Sequence, residues 1–159
     1  MSIISFIHSF DPIDFLILNE LQSDGRVSRS ELASRVGLSV SACHRRVRRL
    51  EDEGVIDGYV AILDTEAIGR DLDVFVEVSL VSQSEEWLRR FEEGVRSCPE
   101  VMSCHLVAGD ADYLLHLAVK DHRDFERIHN RHLSRLPGVA RLRSNFAIRT
   151  IYQTTRHVL

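Results

Sequence analysis

Within the stretch "SVSACHRRVRRLEDEG", Ser39 to Gly54, arginines stand at Arg45, Arg46, Arg48 and Arg49. A guanidinium forks onto phosphate oxygens or onto guanine O6 and N7, so such a run offers polyanion recognition. Positions 40 to 50 carry these cations and no anion, and acids follow only at Glu51, Asp52 and Glu53. The bland alternative is a solvated helix face whose arginines pair with that acidic triplet. The eight histidines raise metal chemistry instead. His129 and His132 stand at i, i+3, but no third ligand follows at zinc-site spacing, so no metal site is assigned. Cys43, Cys98 and Cys104 form no CxxC pair and read as reduced thiols, Cys43 as core. No nucleophile with a base, no P-loop and no Rossmann glycine pattern occurs, so no catalytic residue and no cofactor are assigned.

The arginines need a rigid element to aim them. At 100° per residue, Val40, Cys43, Val47 and Leu50 fall on one side of a helix. Ser41, Ala42, Arg45, Arg48 and Arg49 fall roughly opposite, with His44 and Arg46 on the flanks. Two helices precede it. The first opens at Asp11 as N-cap with Pro12 in its first turn, buries Ile13, Ile17, Leu18 and Leu21, and closes at Gly25. The second opens at Ser28, with Glu31 at capping-box spacing, and ends at Gly37. The third begins near Ser39 and ends at Gly54, a C′ glycine. These are the proportions of a helix-turn-helix, whose second helix meets base edges with its N-terminal residues. The DNA-contact set is then Ser39, Ser41, Ala42, Arg45, Arg46, Arg48 and Arg49. Ser41, Ala42 and Arg45 are the readers, and Arg46, Arg48 and Arg49 the phosphate contacts.

After Gly54 the period changes. "VIDGYVAILD" and "DVFVEVSLV" are rich in β-branched and aromatic residues and read as extended. "SEEWLRRFEEGVRSC" returns to helical spacing through Trp87, Leu88, Phe91 and Val95. "VMSCHLVAG" and "DYLLHLAV" read as strands about a turn at Gly109 to Asp112, where His105 and His116 could pair across the sheet. "HRDFERIHNRHLSRL" is a helix with Phe125, Ile128 and Leu133 inward, stopped by Pro137-Gly138, and "VARLRSNFAIRTIYQ" is the last extended segment. From Asp73 the order is β-α-β-β-α-β, a split βαβ pattern. The fold class is therefore α+β. Its domains are a DNA-binding head over 1–62, a polar linker over 63–72 and a ferredoxin-like domain over 73–159.

The chain has 159 residues, a formal charge of −4 and a pI of about 6.0, so it is not a basic nucleic-acid coat. DNA binding must come from a local patch. Lys120 is the sole lysine, a bias that a GC-rich genome also produces. The apolar start "MSIISFIHSF" lacks a basic n-region and reads as a tail or packing segment; no run reaches membrane-spanning length. Cytoplasmic location and no membrane partner are expected.

Four ordered stretches carry a family resemblance: "IDFLILNELQSDGRVSRSELASRVGLS", "CHRRVRRLEDEGVIDGYVAILD", "CHLVAGDADYLLHLAV" and "LPGVARLRSNFAIRT". The chain resembles the Lrp/AsnC family of feast/famine transcriptional regulators from Asp11 onward. The resemblance implies a simple or winged helix-turn-helix and a C-terminal ferredoxin-like (RAM) domain. It also implies a homodimer assembling to a tetramer or octamer, and an amino acid or similar small effector. Carried over by position, the effector residues are Gly109, Asp110, Asp112, Tyr113 and Leu114. A glycine turn exposes amides to a carboxylate, and an acidic side chain receives an ammonium group, so an amino-acid zwitterion fits. A plain hairpin turn is the alternative for the same residues. The chain departs from the family at Val40, where proline is common, and at Ala108, where a small hydroxyl residue is frequent.

The expected function is a sequence-specific, effector-responsive DNA-binding transcriptional regulator. Two heads of a dimer would meet major-groove faces about 34 Å apart on a roughly palindromic site. The rivals are a tetrapyrrole (sirohaem-type) decarboxylase, as in some proteins resembling this family, and a weakly specific architectural DNA-binding protein.

Overall fold

The computed structural model describes residues 10–159. Apart from Phe10, the opening apolar segment lies outside the described residues. The chain forms two compact units, one of residues up to Ile62 together with Tyr152–Leu159, the other Leu63–Ile151.

The first unit holds three helices, α1 (Pro12–Ser23), α2 (Arg29–Arg35) and α3 (Val40–Asp52). Asp11 caps α1, its Oδ1 accepting from the Ile13 and Asp14 N–H groups at 2.9 and 3.0 Å. Asp14 Oδ2 accepts in return from the Asp11 N–H at 3.1 Å, which completes a capping box. At α2 the expected box is only half made. Ser28 Oγ accepts from the Glu31 N–H at 3.2 Å, but the Glu31 carboxylate turns to Arg35 at 2.6 Å. The Arg35 guanidinium lies one turn further along the same face and outcompetes a neutral backbone donor for that carboxylate.

Gly37 and Gly54 have φ near +70°, and the amides around them fold back on the last turns of α2 and α3. Leu38 N–H donates to Ala33 O and Val55 N–H to Leu50 O, each at 2.9 Å, as a Schellman cap requires. Ile17, Leu32, Ala33, Cys43, Val47 and Leu50 form the buried centre of the unit. The segment "VIDGYVAILD" is not a strand: residues 55–64 have no ladder partner among the described residues, and Val60 and Ile62 are exposed. Tyr59 folds back instead, its hydroxyl donating to Glu51 Oε1 at 3.0 Å. The tail returns to α1, where the Gln22 carboxamide donates to His157 O at 3.2 Å and accepts from its N–H at 2.6 Å.

The second unit runs β1 (Leu72–Leu80), α4 (Glu85–Arg96), β2 (Val101–Leu106), β3 (Tyr113–Val119), α5 (His122–Arg131) and β4 (Val139–Phe146). The antiparallel sheet has the order β2-β3-β1-β4, so each long segment after a strand crosses over the sheet as a helix. Alternation decides its faces. Val74, Val76, Val78 and Leu80 on β1, with Tyr113, Leu115, Leu117 and Val119 on β3, share one buried core with Phe91, Val95, Phe125 and Ile128 of the helices. The predicted long last helix breaks at His132, and a 3-10 turn (Leu133–Arg135) carries Leu133 into the core.

His105 and His116 do not pair. The register places His105 opposite Leu114 and His116 opposite Ser103, and His116 stacks on Phe75 at 4.9 Å while meeting Asp73 at 2.7 Å. Among the described residues no group of three ligand-type side chains could hold a metal. His129 leans on Phe125, and His132 lines an open cleft of about 230 Å³ beside Arg131 and Arg135.

Candidate nucleic-acid interface and effector turn

Helix α3 is held from behind by Cys43, Val47 and Leu50, each at most 3 % exposed. Ser39 Oγ caps it by accepting from the Ala42 N–H at 3.3 Å, so this serine serves the helix end as well as the outward face. Ser41, His44, Arg45 and Arg48 are exposed and Ala42 is half-buried. Arg45 has no acidic partner among the described residues. Arg48 lies 3.8 Å from Asp52 with both side chains 72 % exposed, a pair that solvent and salt loosen readily.

The other two arginines are committed elsewhere. Arg46 Nη1 donates to Asp11 Oδ2 at 2.7 Å and to Asp14 Oδ1 at 2.9 Å. Arg49 Nη2 donates to Asp14 Oδ2 at 2.5 Å. Arg49, expected on the outward face, turns toward α1, and so does Arg46 from its flank, both drawn by a carboxylate pair at the same three-residue spacing as their own. The backbone N–H of Asp14 and then Arg46 hold the Asp11 carboxyl below its ordinary range. Of the acidic triplet after the run, Asp52 takes Arg48 only loosely and Glu51 receives the Tyr59 hydroxyl. Burial, then that carboxylate, push the Tyr59 pKa up to about 12, so it remains a donor.

In the second unit, Gly109 and Asp110 are exposed on the six-residue loop between β2 and β3, Gly109 with φ +149°. Asp112 and Tyr113 turn inward. Asp112 is 9 % exposed, its Oδ2 accepting from the Leu80 N–H at 2.7 Å and its Oδ1 from Gln83 Nε2 at 2.6 Å. Its backbone is engaged too, N–H to Val78 O and C=O from Val107 N–H, both at 2.9 Å. Tyr113 is 1 % exposed, and its hydroxyl donates to Glu92 Oε1 at 2.8 Å. Burial and then Glu92 drive its pKa upward. Leu114 is half-buried beside Glu77 and His105. Asp112 and Tyr113 are thus latches of the loop within the fold, a structural role that the expectation of ligand contact did not include. Gly109 and Asp110 remain presented to solvent.

Composition and periodicity do not reveal Asp11, Asp14, Gln83 or Glu92 as partners. One signal does exist: Asp11 and Asp14 repeat the spacing of Arg46 and Arg49, so two ties on successive turns are geometrically possible.

Residues 73–157 match the Lrp/AsnC ligand binding domain, and residues 10–57 match a winged helix-turn-helix DNA-binding domain. The chain belongs to the Lrp/AsnC family. It is 46 % identical over 141 residues to the Bkd operon transcriptional regulator of Pseudomonas aeruginosa, covering 89 % of this chain and 92 % of that protein. It is 43 % identical over 149 residues to the leucine-responsive regulatory protein of Escherichia coli, covering 94 % and 91 %. Among solved structures, an AsnC family transcriptional regulator from Agrobacterium tumefaciens superposes with a TM-score of 0.89 at 36 % identity, covering 94 % of this chain and 97 % of that one. A transcriptional regulator of Neisseria meningitidis in complex with L-Met gives 0.86 at 36 % identity, covering 92 % and 94 %. This Lrp/AsnC chain is accordingly a DNA-binding transcriptional regulator with a ligand-binding domain. Among the described residues no helix is long and apolar enough to cross a membrane.

Proposed function

We propose that this Lrp/AsnC regulator works in the cytoplasm as a homodimer or a larger assembly of dimers, and that a free amino acid tunes its hold on DNA. The observation that carries the DNA part is the outward face of α3. Ser41, Arg45 and Arg48 stand exposed with Ala42 half-buried beside them, while apolar residues fix the helix from behind. Ser41 and Ala42 suit close base contact, Arg45 suits a guanine edge, and Arg48 suits phosphate.

The effector part rests on Gly109 and Asp110, which offer loop amides and a carboxylate to a zwitterion. Relatives named for leucine response and solved with L-Met support that class of ligand. Effector control follows if the ligand binds one arrangement of the assembly better than another. The reading assigns the chain no catalytic step.

The test is a thermal-shift screen of the twenty free amino acids, followed by DNA titration with and without each one that binds. The reading expects at least one amino acid to raise Tm and to change DNA affinity several-fold. No shift with any amino acid, or a shift that leaves DNA binding unaltered, would contradict it.

A further inference from the structure

We propose that Asp14, on α1, is the positioning residue of the DNA-reading helix, and that Arg46 and Arg49 serve this carboxylate instead of the phosphate backbone. The inference rests on the DNA-reading role of α3 argued above. Asp14 is 1 % exposed, and its two oxygens collect donors from Arg46, Arg49 and the Asp11 N–H. Arg46 bridges on to Asp11. Two carboxylates and two guanidiniums sum to no net charge, so the quartet adds nothing to the field that draws in DNA. Arg49 Nε is buried with no hydrogen-bond partner among the described residues, so that N–H cannot reach a phosphate.

The geometry explains why a reading helix needs such ties. The apolar contacts of Cys43, Val47 and Leu50 hold α3 down but are non-directional, and they tolerate a small roll about its axis. A roll of about 20° carries an atom at a radius of about 6 Å through roughly 2 Å. Hydrogen bonds to base edges tolerate only about 0.5 Å. Two charge-assisted bonds, one helical turn apart and converging on one buried carboxylate, fix both roll and translation. Arg45, one position before Arg46 and on the outward side, inherits that alignment.

The experiment measures affinity of the full chain against salt, on a duplex selected by the wild type from a random library and on a shuffled duplex of the same composition. Arg48→Ala should flatten the plot of log affinity against log salt by about one unit. Arg46→Ala and Arg49→Ala should leave that slope unchanged on the shuffled duplex, yet cut the preference for the selected duplex about tenfold or more. Arg49→Lys, which keeps the charge and loses the fork, should lose preference as the alanine variant does. A slope flattened by about one unit in Arg46→Ala or Arg49→Ala, or full preference in Arg49→Lys, overturns the proposal. A double-mutant cycle between Asp14→Asn and Arg49→Ala in urea unfolding judges the tie without DNA. It should show a coupling of about tenfold or more in the unfolding constant, and additivity overturns the proposal. If the wild type shows no preference between the duplexes, the DNA-reading role itself fails, and the cycle still decides whether the tie exists.

Discussion

Asp14 on α1 and Arg49 on α3 meet at 2.5 Å, and the contact ties the helix that opens the head to the helix proposed to read DNA. Asp14 also belongs to the capping box of its own helix, so one carboxylate organises a helix start and a helix–helix register together.

Removing that carboxylate should therefore be costly. Asp14→Ala leaves Arg49 without its acceptor, Arg46 with Asp11 alone, and the Asp11 N–H without its box partner. Water reaches both guanidiniums, so the cost should sit at the lower end for a broken buried pair, about 3 kcal/mol. Urea unfolding of the two proteins measures it; a loss below about 0.5 kcal/mol would mean the network is ornamental.

Arg45 and Arg48 should divide the remaining DNA work. Arg45→Ala should cost about 1–3 kcal/mol on the preferred sequence and relax selectivity at the base it meets. Arg48→Ala should weaken binding evenly across sequences. Competition titrations against single-base variants of a selected duplex separate the two, and equal losses on all sequences from both variants would refute the division.

The loop between β2 and β3 predicts two different phenotypes from two neighbouring acids. Asp110 is exposed, so Asp110→Ala should leave Tm unchanged and abolish the response to the amino acid. Asp112→Ala should instead lower stability by about 1–3 kcal/mol, because the buried Leu80 N–H loses its acceptor. Thermal melts with and without ligand check both; a surviving ligand response in Asp110→Ala would place the pocket elsewhere.

Acid sensitivity should come from paired aspartates. The Arg127 guanidinium lowers the Asp124 carboxyl pKa, as the Asp14 N–H and Arg46 lower that of Asp11. A carboxylate whose folded pKa is depressed stabilises the fold above its unfolded pKa and loses that contribution as pH falls. These two groups should add no pH dependence above about pH 5 and should erode stability from about pH 4 downward. Arg127→Met should flatten that acid limb in melts run from pH 7 to pH 3, and an unchanged limb would remove Asp124 from the account.

Much of this was legible in the residues. The glycines at 37 and 54, the serine caps at 28 and 39 and the alternation along β1 and β3 are local signals, and each element formed where they stand. Cys43, Val47 and Leu50 followed from helical periodicity, which also placed Val40 inward, whereas Val40 at the first position of α3 is 50 % exposed. What stayed hidden was long-range partnership. Arg46 differs from Arg45 by one position, yet only the packing of α1 decides that one guanidinium is bound and the other is not. Asp112 likewise resembles Asp110 in sequence, and the neighbouring β1–α4 loop turns it into an internal latch. The extended composition of residues 55–64 misled for the opposite reason: β-branched residues favour strands, but a strand also needs a neighbour.

The most direct test of the central claim is the affinity ratio between a library-selected duplex and its shuffled counterpart, measured at physiological salt with and without the amino acid that raises Tm. The account predicts a preference of about a thousandfold or more for the selected duplex, shifted several-fold by that amino acid and sharply reduced in Arg45→Ala. Equal affinity for both duplexes, unmoved by ligand and by Arg45→Ala, would contradict it.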